Sequence, residues 1–193
     1  MKVLIDSFEI KMTVSEKFTK PNTALGGKSL ADFMLENILG KLEAYKRIFG
    51  VQRLKKINFE TYDVDTELDQ FFARRMEIDK SQAPAYCRGF FDENNNISCS
   101  CNHANAKCGT GWWYSAVCTN AHEAFHLYYR KYIYGEDRIV WFDEGMAQFM
   151  SGEKDWLLNN EVNLEKAFKK FIDNYIPTVS YTHLRAHETD SYL

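Results

Sequence analysis

The chain has 193 residues, enough for one domain with a sizeable core. Apolar residues make up 45% and charged residues 26%, and a net charge of −3 leaves no electrostatic footprint for nucleic acid or an anionic membrane surface. No apolar run approaches the roughly 20 residues that a membrane span needs.

The opening stretch MKVLIDSFEIKM is apolar only until Asp6 and Glu9, so it does not read as a signal peptide. With the odd count of five cysteines, Cys87, Cys99, Cys101, Cys108 and Cys118, this predicts reduced thiols and a cytoplasmic setting. A secreted protein whose true beginning is missing would read the same way. Residues 28–50 carry Leu30, Phe33, Met34, Ile38, Leu42, Tyr45 and Ile48 at helical spacing, with Gly50 as the stop. KKINFETYDV reads as a strand and TELDQFFARRMEI as a short helix. AYCRGFFDENNNISCSC reads as strand, tight turn and strand, because Asn and Asp tolerate left-handed backbone and hydrogen-bond locally.

A long helix is expected from about Trp113 to Tyr134, ending at Gly135, with a shorter one over WFDEGMAQFMSG and a third over NLEKAFKKFIDNY, stopped by Pro177. The tail VSYTHLRAHETDSYL has His183 and His187 four apart, but in the order HxxxHE. It resembles a translated sequencing-adapter tail, so residues 179–193 are expected to be foreign and 1–178 to be a single domain truncated at its C-terminus.

The chemistry concentrates in HEAFH. Residues four apart on a helix share a face, about 6 Å apart at Cβ, so His122 and His126 can both reach one zinc ion. Glu123 is turned about 100° from His122 around the axis. That places it to face a metal-bound water as general base. Two ordinary core or surface histidines are the alternative, so a third ligand is needed. Glu144 lies 18 positions after His126 and opens the next helix, which can return alongside the first. Gly145 and Ala147 would let the helices approach closely, or are ordinary packing.

HEAFH followed by WFDEGMAQF resembles the gluzincin metallopeptidases, the peptidase-MA-like families related to aminopeptidase N and thermolysin. The resemblance is sharp over residues 118–152 and looser over the upstream strands, where it implies that the strand near Ile97 to Cys101 is the sheet edge. It implies an α+β, zincin-like fold in which a small mixed sheet is followed by the HExxH helix and further helices. It implies one zinc held by His122, His126 and Glu144, with Glu123 as general base, and a peptide or protein as substrate. The chain departs from these families in three ways. GFFDEN is a poor match to the aminopeptidase G-x-M-E-N block and reads as a turn. Gln148 stands where thermolysin-like enzymes have the Asp that orients a ligand histidine, with Asp143 as its rival. The downstream Tyr or His that stabilises the oxyanion has no identifiable counterpart. A zincin-fold scaffold without turnover is the alternative function, and a zinc-stabilised hydrolase of another kind is a third. The cluster CSCNHANAKC could hold a structural zinc or, in a secreted protein, a disulfide.

Overall fold

The computed structural model describes residues 1–78, 88–134 and 140–152. Five strands form one mixed sheet: β1 (Lys2–Asp6), β2 (Ile10–Val14), β3 (Ile57–Asp63), β4 (Gly89–Asp92) and β5 (Ile97–Asn102). Their spatial order is β1-β2-β3-β5-β4. β2, β3 and β5 run parallel, and each edge strand is antiparallel to its neighbour. Among the described residues four α-helices accompany the sheet: α1 (Leu30–Phe49), α2 (Leu68–Ile78), α3 (Gly111–Tyr129) and α4 (Val140–Ser151). The architecture is mixed α and β, as expected. The expected third helix after α4 and the tail lie outside the described residues. Among the described residues no helix is long and apolar enough to cross a membrane.

Helix α1 starts where Ser29 Oγ accepts the Asp32 N–H and the Asp32 carboxylate accepts the Ser29 N–H, a reciprocal cap. It stops at Gly50, whose φ of 65° is the left-handed conformation that glycine adopts without a Cβ clash. Its apolar stripe, including Met34, Ile38 and Tyr45, packs with α3 and with Ile10, Met12, Val14, Ile57 and Phe59 from the sheet to form the main core. α2 covers the opposite face, where Tyr62, Phe71, Phe90, Ile97, Cys99 and Cys101 form a second cluster.

β5 is buried on both faces, and its alternation sorts its neighbours. Cys99 and Cys101 belong to the α2-side cluster. Ser98 and Asn102 hydrogen-bond to α3, and Ser100, on the same face, to Thr61 of β3. Ser98 Oγ donates to the Asn120 carbonyl at 3.0 Å, Ser100 Oγ to Thr61 Oγ1 at 3.2 Å, and Ser115 Oγ donates to Asn102 Oδ1 at 2.9 Å. Asn120 Nδ2 donates to Thr61 Oγ1 at 2.6 Å. A polar ladder therefore fixes the rotation of α3 on the sheet two residues before His122. From the other side, Tyr45 Oη donates to the Ala121 carbonyl at 2.9 Å.

The structure corrects several expectations. Ile97 to Cys101 is an interior strand; among the described residues the edge on that side is β4. The opening hairpin β1–β2, hidden by its interrupting charges, is part of the sheet. The expected long helix is α3 ending at Tyr129 and continuing as a π turn, Arg130–Tyr134. The DENNN turn is as expected: Asp92 Oδ1 accepts the N–H groups of Asn94 (3.0 Å) and Asn95 (3.3 Å), and Asn96 has φ 53°.

Candidate metal centre

Thr110 caps the start of α3, accepting the Trp113 N–H. One turn before the end of the helix, His122 and His126 project from the same face, their ring centroids 4.8 Å apart. α4 packs against α3 with Ala147 fully buried between them. Gly145 is exposed, and a Cβ built there would touch nothing, so it plays no part in the close approach. The packing brings Glu144 onto the two imidazoles.

His122 Nε2 and His126 Nε2 are 3.0 Å apart, His122 Nε2 and Glu144 Oε2 3.3 Å, and His126 Nε2 and Glu144 Oε1 3.5 Å. A tetrahedral zinc with bonds of roughly 2.0–2.2 Å needs its ligand atoms about 3.3 Å from one another. The two Glu144 contacts use different oxygens; with one ligand atom taken from each residue, all three lie within 4.8 Å of one another, close enough to share an ion. The donor set suits the ion too: two imidazole nitrogens and one carboxylate oxygen. The two imidazoles, His122 foremost, hold the Glu144 carboxyl far below the usual carboxylate range despite its partial burial, so it is available as an anionic ligand. Among the described residues this is the single group of three or more His, Cys, Asp or Glu side chains close enough to share an ion.

His126 is held from two further sides. Its Nδ1 lies 2.7 Å from Asp143 Oδ1, and the Asp143 side chain has no solvent exposure. A carboxylate only accepts, so the proton of that bond sits on Nδ1, and Nε2 presents its lone pair to the triangle. The Phe91 ring stacks on the imidazole, centroids 5.7 Å apart. The orienting carboxylate is therefore Asp143. Gln148 is exposed, because it falls on the outward face of α4.

Glu123 lies on the wall of the cleft that opens beside the triangle, a space of about 590 Å³. β4 crosses the cleft close to it. A Cβ on Gly89 would stand 2.6 Å from Glu123 Oε1 and 2.6 Å from Thr119 Cγ2. The strand can pass Glu123 at this distance only with glycine at position 89. The cleft is also lined by Phe90, Phe91, Arg75 and Arg130.

All four residues expected from HEAFH and Glu144 thus gather at one cleft. The cysteine-rich stretch does not gather: Cys99 and Cys101 are buried in the apolar cluster, and Cys108 is exposed. Burial pushes the Cys101 thiol up to about 12, which keeps it protonated and a poor ligand. Sequence reasoning passed over Gly89, whose signal was a glycine at the start of a strand. It also passed over Arg75 and Arg130, which carry no motif. Comparison with family models, with curated proteins and with solved structures finds no match for the chain.

Proposed function

We propose that the chain is a zinc-dependent peptidase of gluzincin type, with a zincin-like arrangement of sheet, HExxH helix and glutamate helix. The observation that carries this reading is the convergence of His122, His126 and Glu144, with ligand atoms within 4.8 Å of one another, and of Glu123 on the adjoining cleft wall. His122 Nε2, His126 Nε2 and a Glu144 oxygen would hold the ion, and Asp143 fixes the tautomer and direction of His126. A zinc ion bound there supplies Lewis-acid polarisation of the scissile carbonyl and lowers the pKa of a water toward about 7.

Glu123 then has two proton transfers to perform. Its carboxylate takes the proton of the attacking water as the C–O bond forms. It delivers that proton to the amide nitrogen as the C–N bond breaks, so the products are a carboxylic acid and an amine. β4, the outer strand on this side of the sheet, runs along the cleft and offers an extended peptide a strand to pair with. Phe91 stiffens the His126 side of the site, and Gly89 lets the pairing strand pass within reach of Glu123.

Glu123→Gln tests the assignment. It keeps the side chain's shape and removes its ability to accept the proton. Digestion of a broad peptide library should slow by at least about 10²-fold while zinc content is unchanged. Glu144→Gln should instead weaken the zinc itself. Equal rates for Glu123→Gln and the parent chain would overturn the mechanism. Bound zinc with no cleavage of any peptide would leave the scaffold reading.

A further inference from the structure

Two arginines from different elements reach the cleft. Arg130 opens the π turn after α3; its guanidinium lies 4.7 Å from the Phe91 ring centroid and 3.8 Å from Glu93. Arg75 belongs to α2, on the other face of the sheet, and lies 5.9 Å from the Phe90 ring centroid. Phe90 and Phe91 are consecutive in β4 and point to opposite faces, so the two cations bracket the edge strand.

Among the described residues Arg130 has one buried donor, Nε, without a hydrogen-bond partner, but Glu93 lies beside its Nη1 at 3.8 Å. Arg75 Nε and Nη1 are buried and have no hydrogen-bond partner among the described residues. No carboxylate there lies within ion-pair distance of it. The acids on that face are already taken: Glu60 and Glu77 pair with the adjacent Arg74 at 3.2 and 3.0 Å. The acids of the cleft are committed as well. Glu123 and Glu144 belong to the reaction, Asp92 is bound by the turn amides, and Glu93 faces Arg130. A guanidinium offers a planar fork of donors matched to a carboxylate, and a buried donor without an acceptor is costly to leave so.

We propose that Arg75 is a specificity-determining residue that binds a carboxylate of the peptide substrate on the Phe90 side of β4. This rests on the peptidase reading of the cleft. A peptide extended along β4 alternates its side chains between the two faces. The Phe91 face carries the metal triangle and Arg130. The Phe90 face carries Arg75. The carboxylate comes either from an acidic side chain on that face or from the peptide's C-terminus, and both chemistries fit the same fork.

The test is calorimetric binding of synthetic peptides to the Glu123→Gln protein, so that affinity is read without turnover. One peptide pair differs as Glu against Gln at an interior position, moved along the sequence. A second pair differs as free acid against C-terminal amide. At least one carboxylate peptide should bind about tenfold tighter than its neutral partner, and the pair that responds names the source of the carboxylate. Arg75→Gln should erase that difference, Arg75→Lys should keep part of it, and Arg130→Gln should leave it. Circular dichroism and unfolding midpoints identify any variant that fails to fold, and Arg75→Lys then decides the case by its partial preference. Absence of any carboxylate preference, or a preference that survives Arg75→Gln or vanishes in Arg130→Gln, overturns the proposal. Preferential binding of peptides that the parent protein never hydrolyses would remove the peptidase reading and leave the carboxylate site. Hydrolysis indifferent to peptide charge would do the reverse.

Discussion

Asp143 Oδ1 sits 2.7 Å from His126 Nδ1, with both side chains out of solvent, and the two residues belong to different helices. The contact both docks α4 on α3 and aims His126 Nε2 toward His122 and Glu144. Asp143→Asn keeps the size of the side chain and loses its charge. Zinc affinity, measured by competition with a chromophoric chelator, should fall about 10–100-fold. Gln148→Ala should leave it unchanged, and the opposite ranking would return the orienting role to Gln148.

One zinc per molecule is expected by metal analysis, and His126→Ala should abolish it. Zinc at about 100 times its dissociation constant should raise the unfolding free energy by about 2.7 kcal/mol, a gain that a chelator removes. A second tightly bound zinc would bring back the cysteine stretch or the histidines of the tail as ligands.

Gly89→Ala places a methyl group 2.6 Å from Glu123 Oε1. Either β4 or the base must move by a substantial fraction of an ångström. Displacements of about 1 Å can cost about 10²-fold in rate. We expect kcat/KM to fall by a factor of that order while zinc content holds. Full activity in this variant would mean that Glu123 is not positioned by β4.

Acid stability should report Asp63. Its buried carboxylate is destabilised by burial, but Lys17 Nζ at 2.7 Å, Thr66 Oγ1 at 2.7 Å and the Ala104 N–H at 3.3 Å more than compensate, so its pKa is lowered. A folded-state pKa below the unfolded value of about 3.9 contributes stability that is present above that value. That stability is lost as pH falls through the lower folded value. Asp63→Asn should lower the urea unfolding free energy at pH 7 by about 1–3 kcal/mol. The gap between variant and parent should narrow below pH about 4. A gap that is constant with pH would assign the loss to packing alone.

The clustering of His122, His126 and Glu144 was legible in the sequence because helical periodicity alone puts His122 and His126 together, and the spacing to Glu144 leaves room for one reversal of the chain. Choosing between Asp143 and Gln148 was beyond it. Both are compatible with α4, and only the rotation of that helix on α3, set by Ala147, decides which faces inward. The edge strand was misplaced for a related reason. Ile97–Asn102 and Gly89–Asp92 form one hairpin, and nothing local says which arm pairs with β3. The pairing is settled by the hydroxyl groups of β5, which need Thr61 and Asn120 as partners. Arg75 was invisible because its significance is a missing acceptor, and that is a property of surroundings.

The two-sided character of β5 governs register. Sliding the strand by one residue would turn Ser98, Ser100 and Asn102 toward Phe71 and Phe90, and deliver Cys99 and Cys101 to Asn120 and Ser115. Each polar group stranded in this way costs about 1–3 kcal/mol, so a slip forfeits several such contacts at once. β4 is carried by the same hairpin and would shift with it, taking Gly89 away from Glu123. The alternation of hydroxyl and thiol from Ser98 to Cys101 thus acts as a proofreading code for the gap between Glu123 and the strand that passes it, at no point touching His122 or His126.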